Sequence, residues 1–290
     1  MDVLKELKPE KEFFIGIDSD GCVFDTMEIK HKECFCPNFI KSFELQRVQK
    51  YARETWEFVN LYSKFRGLNR FLAVLEAFRL LNDRPEIHER GMLLPDISPL
   101  EEWVRTETKL GNPVLKKYAD QSGNGFLHAV LDWSVKVNSS VSEMVYGIPP
   151  FPDVMESLKM MREKADTLVV SQTPGEALKR EWEENRMEGY VRFIAGQELG
   201  TKAEHLEQAA KGKYPDSKIL MIGDAPGDLG AARSNGVLFY PIIPGLEEAS
   251  WRNLREDALD RFFEDRYAEE YEDNLIKEFH SHLPEKPPWI

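Results

Sequence analysis

The chain has 290 residues, with 51 acidic and 38 basic side chains and a formal net charge of −13 at pH 7. That length is room for about two domains and a substantial buried core. The negative balance repels phosphate backbones, and the hydrophobic share of 42% belongs to a globular chain, so nucleic-acid binding and intrinsic disorder are both disfavoured.

The three cysteines, Cys22, Cys34 and Cys36, are odd in number and two of them stand one residue apart. A disulfide framework is therefore not expected, and a reducing compartment is. The N-terminal MDVLKELKPEKEFF lacks the apolar core of a signal peptide, and no run reaches the roughly 18 apolar residues of a membrane span. The expectation is a soluble, cytoplasmic chain with no membrane partner.

The first element is Phe13–Ile17, a short apolar run stopped by Asp18-Ser19-Asp20-Gly21. Brevity and β-branched content read as a buried strand. From about 27 to 147 the pattern is helical. Stripes run through Val48, Tyr51, Ala52, Thr55, Val59 and Tyr62, and then through Phe71, Val74, Leu75, Phe78 and Leu81. A third takes in Leu127, Val130, Leu131, Ser134, Val137, Val141 and Met144. Beyond a Pro-rich join at 146–150, helical and apolar runs alternate. Helices are predicted over Pro152–Lys164, Pro174–Asn185 and Lys202–Lys211. Strands are predicted at Thr167–Val170, Lys218–Ile222 and Val237–Tyr240, with a weaker one at Val191–Ile194. Such alternation implies right-handed βαβ units and a parallel sheet. The expected architecture is an α/β, doubly wound, Rossmann-like core (1–26 and 148–245) carrying an inserted all-helical domain (27–147). A C-terminal helical extension (246–290) follows, with Trp251, Leu254, Ala258 and Phe262 on one face.

Ligands of such sheets bind outside the carboxyl ends of the strands. Those ends present Asp18 and Asp20, then Ser171, then Asp224 and Asp228. Clustered carboxylates need a cation, and an all-oxygen set without a His or Cys cluster favours Mg²⁺. Thr173-Pro174-Gly175-Glu176 reads as a capped helix start directly after Ser171-Gln172, with backbone N–H groups facing an anion. Thr201-Lys202-Ala203-Glu204 has the same capping-box form. It sets Lys202 in a first turn, where a cation is unfavourable; a solvated surface lysine is the plain alternative.

The order Asp18-Ser19-Asp20-Gly21-Cys22-Val23, Ser171 after a strand, Lys202, then Gly223-Asp224-Ala225-Pro226-Gly227-Asp228 resembles the four motifs of the haloacid dehalogenase superfamily. The resemblance covers about 1–26 and 148–245, and the helical insert falls where family members carry a cap. It implies a Mg²⁺-dependent phosphatase acting on a small phosphorylated metabolite. Asp18 would be the nucleophile and Asp20 the general acid and base. The metal would be held by Asp18, the Asp20 backbone carbonyl and Asp224, with Asp228 in support through water or Lys202. Ser171 and Lys202 would bind phosphoryl oxygens, with Gln172 beside them.

Cys22 departs from the usual Thr or Val, read as a small space-filling residue rather than a redox-sensitive thiol. Arg66 and Arg70 flank Gly67 in a link between two helices of the insert, where they either reach an anionic substrate or lie on the surface of the turn. Lys30, His31 and Lys32, close after the Asp18 loop, are either a solvated charge run or a source of substrate contacts, and zinc at His31, Cys34 and Cys36 lacks a fourth ligand. A phosphosugar mutase and a catalytically idle binding protein on the same fold are the alternatives. The sequence does not decide oligomeric state.

Overall fold

The computed structural model describes residues 2–290. Five strands form one sheet: β1 (Phe13–Ile17), β2 (Ala165–Val170), β3 (Phe193–Ala195), β4 (Ile219–Gly223) and β5 (Leu238–Pro241). Their order is β3-β2-β1-β4-β5, and every pairing is parallel. β1 is central, with Ile17 registered against Val169 on one side and Ile222 on the other. The topology is the doubly wound α/β arrangement.

Both sheet faces are covered, which is why the strands read as unbroken apolar runs. Phe13, Ile15, Ile17, Leu220 and Ile222 point into one core cluster. They pack with Val154, Leu158 and Met161 of the helix Val154–Lys164 and with Trp182. Phe14, Leu168, Val170, Ile219 and Met221 point the other way. They meet Leu206 and Ala209 of the helix Lys202–Ala209 and Ala231 and Ala232 of Pro226–Asn235.

The chain divides into two units. One comprises the chain up to Met27 together with Gly147–Leu283; the other comprises Glu28–Tyr146 and Pro284–Ile290. Residues 246–283 are thus part of the α/β unit. Trp251, Leu254, Ala258 and Phe262 are fully buried in the cluster that holds Phe13, Ile15 and Ile17. Residues 284–290 belong with the helical unit, where Trp289 lies 4.2 Å beneath the Arg84 guanidinium and packs on Phe58.

The helical unit contains Cys36–Ser42, Gln49–Leu61, Arg70–Asn82, Pro85–Glu89, Ser98–Thr106, Asn112–Ser122 and Gly125–Met144, and no strand among the described residues. Its core is aromatic: Phe39 packs at a tilt against Trp56 and Phe78, and Trp56 meets Trp133 edge-on. The expected stripes are right in phase but incomplete. Trp56 and Trp133 are fully buried, whereas Tyr62 and Met144 at the stripe ends are exposed.

Candidate active site

The strand ends build the site. The backbone N–H of Asp18 donates to the Ile222 carbonyl at 2.9 Å, extending the β1–β4 ladder by one residue. The chain then winds tightly around Ser19, whose carbonyl accepts the N–H groups of Cys22, Val23 and Phe24. Gly21 supplies the φ of +74° that this turn requires. Asp18 and Asp20 are thereby separated onto different neighbours.

Asp18 is buried, with Oδ2 2.8 Å from Lys202 Nζ. The same ammonium lies 2.5 Å from Asp228 Oδ1. The Thr201–Glu204 capping box is present and launches Lys202 from the first turn of its helix. The unfavourable end of that helix is offset by two carboxylates. Lys202 is largely buried; burial alone would lower its pKa, yet Asp18 and Asp228 hold it above the ordinary lysine value. The next lysines along the chain are engaged elsewhere: Lys211 with Asp216, Lys218 with Glu12, and Lys213 with the Leu4 carbonyl.

Asp228 is fully buried; its Oδ2 accepts the Ala225 N–H at 3.0 Å, which fixes the carboxylate at the start of the helix Pro226–Asn235. Oxygen atoms of Asp18, Asp224 and Asp228 lie within 4.8 Å of one another, the one grouping of potential metal ligands among the described residues. His31, Cys34 and Cys36 are not in such a group. Burial pushes the Asp18 carboxyl up to about 6 against the pull of Lys202, and it also raises Asp228.

Asp18 Oδ1 is buried with no hydrogen-bond partner among the described residues. Asp166, at the opposite end of β2, shows what a structural buried carboxylate looks like here. It accepts from Glu10 N–H, Lys11 N–H and the Tyr214 hydroxyl, and it pairs with Arg192. Three converging acid oxygens with one buried oxygen left over fit a hard, oxygen-preferring cation such as Mg²⁺.

The Asp20 side chain stands outside that grouping. Its Oδ1 accepts from the Thr26 hydroxyl at 2.5 Å and its Oδ2 from the Thr173 hydroxyl at 2.6 Å. No local pattern in the sequence marks either threonine as a partner of Asp20. Thr173 was expected to cap the following helix. Instead that helix runs Gly175–Glu184, Pro174 occupies the cap position, and no side chain of that residue caps it. The Glu198 carboxylate takes the Gly175 N–H at 3.0 Å. The expectation of open N–H groups facing an anion is thus corrected at Gly175, where a carboxylate of the chain already serves.

Ser171 is buried at the end of β2, and its Oγ accepts the Thr173 N–H at 3.2 Å. Gln172 donates to the Gly200 carbonyl at 2.9 Å, so its amide ties this loop to the one leading into Lys202. Cys22 is fully buried, and burial with Asp224 and Asp18 nearby pushes its thiol well above the ordinary range, which keeps it protonated.

Arg66 and Arg70 lie in the helical unit. Arg66 is buried and donates to the Leu61 carbonyl at 3.0 Å; Arg70 donates to Ser134 and Asn138. Both are built into their surroundings rather than spread on the surface of a turn.

Neither a family model nor a curated protein matches the chain. Solved structures similar to it include a haloacid dehalogenase-like hydrolase from Streptococcus pneumoniae, at 15% identity and a TM-score of 0.43, covering 84% of this chain and 91% of that one. A HAD-superfamily hydrolase of subfamily IA, variant 1, from Geobacter sulfurreducens PCA aligns at 15% identity and TM-score 0.41, covering 81% and 90%. A 2-haloacid dehalogenase from Pseudomonas syringae pv. Tomato DC3000 aligns at 16% and 0.37, covering 78% and 84%. In structure, the chain is similar to haloacid dehalogenase-like hydrolases.

Proposed function

We propose that the chain is a Mg²⁺-dependent phosphatase of the haloacid dehalogenase type, acting on a small phosphorylated metabolite in the cytoplasm. The observation that carries this reading is the division of labour between the two aspartates. Asp18 shares its surroundings with Lys202, Asp224 and Asp228, while Asp20 is held two residues away by Thr26 and Thr173. A binding protein has no need for a second carboxylate oriented apart from the first.

In this reading the Asp18 carboxylate attacks phosphorus, and the bond from phosphorus to the ester oxygen breaks as an aspartyl phosphate forms. Asp20 gives its proton to the departing oxygen. It then takes one from the water that attacks the acyl phosphate, releasing inorganic phosphate and restoring Asp18. Thr26 and Thr173 hold the Asp20 carboxyl in place for both transfers. The Lys202 ammonium and the Ser171 hydroxyl hold phosphoryl oxygens as charge develops on them. The Asp18 and Asp224 carboxylates and the Asp20 backbone carbonyl would hold Mg²⁺, with Asp228 supporting through Lys202. When bound, the ion neutralises charge between nucleophile and phosphoryl group. The Asp18 carboxyl in particular needs that cation, since burial favours its protonated, non-nucleophilic form.

The test is phosphate release from a panel of phosphomonoesters with Mg²⁺. Hydrolysis of at least one member is expected, falling by roughly a thousandfold or more in Asp18→Asn and lost with a chelator. Unchanged release by Asp18→Asn, or no release from any ester, overturns the reading.

A further inference from the structure

We propose that the helical unit holds an anion-binding site anchored on Arg70, which takes the carboxylate or phosphate group of a small molecule. Arg70 is the first residue of the helix Arg70–Asn82, capped by the Asn69 side chain. Backbone amides give that end a partial positive charge, so a cation there stands against the dipole. Arg70 is half-buried, and its guanidinium carbon lies 5.1 Å from the centre of the Phe35 ring.

One nitrogen is pinned. Nη1 donates to Ser134 Oγ at 2.9 Å, to the Ser134 carbonyl at 3.2 Å and to Asn138 Oδ1 at 2.7 Å. The Ser134 hydroxyl is itself tied to Asn112 at 2.7 Å. Every one of these acceptors is neutral. All hydrogen bonds that Arg70 makes with the described residues leave from Nη1, so the Nε–Nη2 edge of the fork makes none.

Other arginines of the same unit are treated differently. Arg84, which is buried, pairs with Glu54 at 2.6 Å and Glu86 at 3.6 Å; Arg79 pairs with Glu101 at 2.7 Å. For Arg70, burial alone acts, lowering its pKa to about 10 with no carboxylate opposing. A partly desolvated charge without a counter-ion is costly and is normally paired. The chain supplies no pair, and the free edge has the two-donor geometry that matches a carboxylate or phosphate. Because Phe35, Ser134 and Asn138 already hold the side chain, little freedom is lost on binding.

The experiment follows the Arg70 Nε–H resonance by NMR, assigned by its loss in Arg70→Lys, while inorganic phosphate and then malonate are added. A saturable shift in the millimolar range is expected. By calorimetry, Arg70→Gln and Arg70→Lys should each weaken binding of the preferred anion about tenfold. The lysine variant keeps the charge, so a loss in both variants separates the fork from net charge, and an unchanged thermal unfolding midpoint separates it from misfolding. A resonance that moves with neither anion overturns the inference. This measurement needs no catalysis, so it stands or falls apart from the phosphatase reading. Kinetics then identify the source. If Arg70→Gln raises KM about tenfold for carboxylate-bearing phosphomonoesters but not for p-nitrophenyl phosphate, the anion is part of the substrate. An unchanged KM with lost binding assigns it to a separate metabolite.

Discussion

The indole N–H of Trp251 donates a 2.7 Å hydrogen bond to the backbone carbonyl of Cys22, across 229 residues of chain. Both groups are fully buried. The bond ties the turn carrying Asp18 and Asp20 to a helix that follows the last strand. On the other side of the same turn, the Trp182 indole donates to Ser19 Oγ at 3.0 Å. Trp251→Phe keeps most of the ring and removes the donor, leaving a buried carbonyl without its partner. We expect a stability loss of about 2 kcal/mol in urea unfolding. Phosphate release should fall further than the change in folded fraction explains, because the turn carrying Asp18, the proposed nucleophile, is loosened.

Lys202 stands between Asp18 and Asp228 at 2.8 and 2.5 Å. Lys202→Met removes the ammonium and leaves two buried carboxylates facing each other. Chemical unfolding at pH 7 in chelator should show a loss of about 3–5 kcal/mol. Added Mg²⁺ should restore part of it by binding the folded state. Hydrolysis should drop by roughly a hundredfold or more, since Mg²⁺ does not replace the contact to phosphoryl oxygens proposed for Lys202.

Gly223 ends β4, and a Cβ placed there would come 2.3 Å from Asp228 Cγ. The carboxylate is anchored by the Ala225 N–H and by Lys202, so it has little room to withdraw. Gly223→Ala should cost about 1–3 kcal/mol in thermal unfolding. It should also lower activity by displacing Asp228, an effect that a change at an exposed glycine such as Gly189 should not show.

His205 is fully buried, one turn beyond Lys202, and burial lowers its pKa to about 4. In the unfolded chain an ordinary histidine titrates near 6.5. Between those values the unfolded state binds the extra proton, so acidification favours unfolding. The contribution is intact above about pH 7 and is lost as pH falls toward 4. Stability measured across this window should fall less steeply in His205→Met than in the parent, by on the order of 2 kcal/mol in total. Parallel curves would show that His205 does not carry the effect.

Much of the site was legible because it sits where buried parallel strands stop. Asp18, Ser171 and Asp224 each follow a short apolar run, and such runs end sharply when both sheet faces are covered. Lys202 was legible through its capping box, a local pattern that the fold keeps. Thr173 shows where local pattern misleads. The spacing Thr173-Pro174-Gly175-Glu176 satisfies a capping rule, but the Asp20 carboxylate lies 2.6 Å from the hydroxyl. There the hydroxyl donates to a charged acceptor, a stronger bond than a cap accepted from a backbone N–H. The helix then starts later and takes its cap from Glu198.

The sequence by itself determined the parallel α/β core, the helical insert and the strand-end carboxylates, because periodicity and chain breaks are local properties. Only the tertiary structure decided which of those carboxylates share Lys202, which one the threonines hold, and that residues 246–283 are core rather than an appendage. Each of these depends on partners brought together over long separations by burial of both sheet faces, and no window of neighbouring residues contains that information. The charge of −13 is likewise a sum that local reading cannot distribute; the fold concentrates its most consequential part into three carboxylates within 4.8 Å.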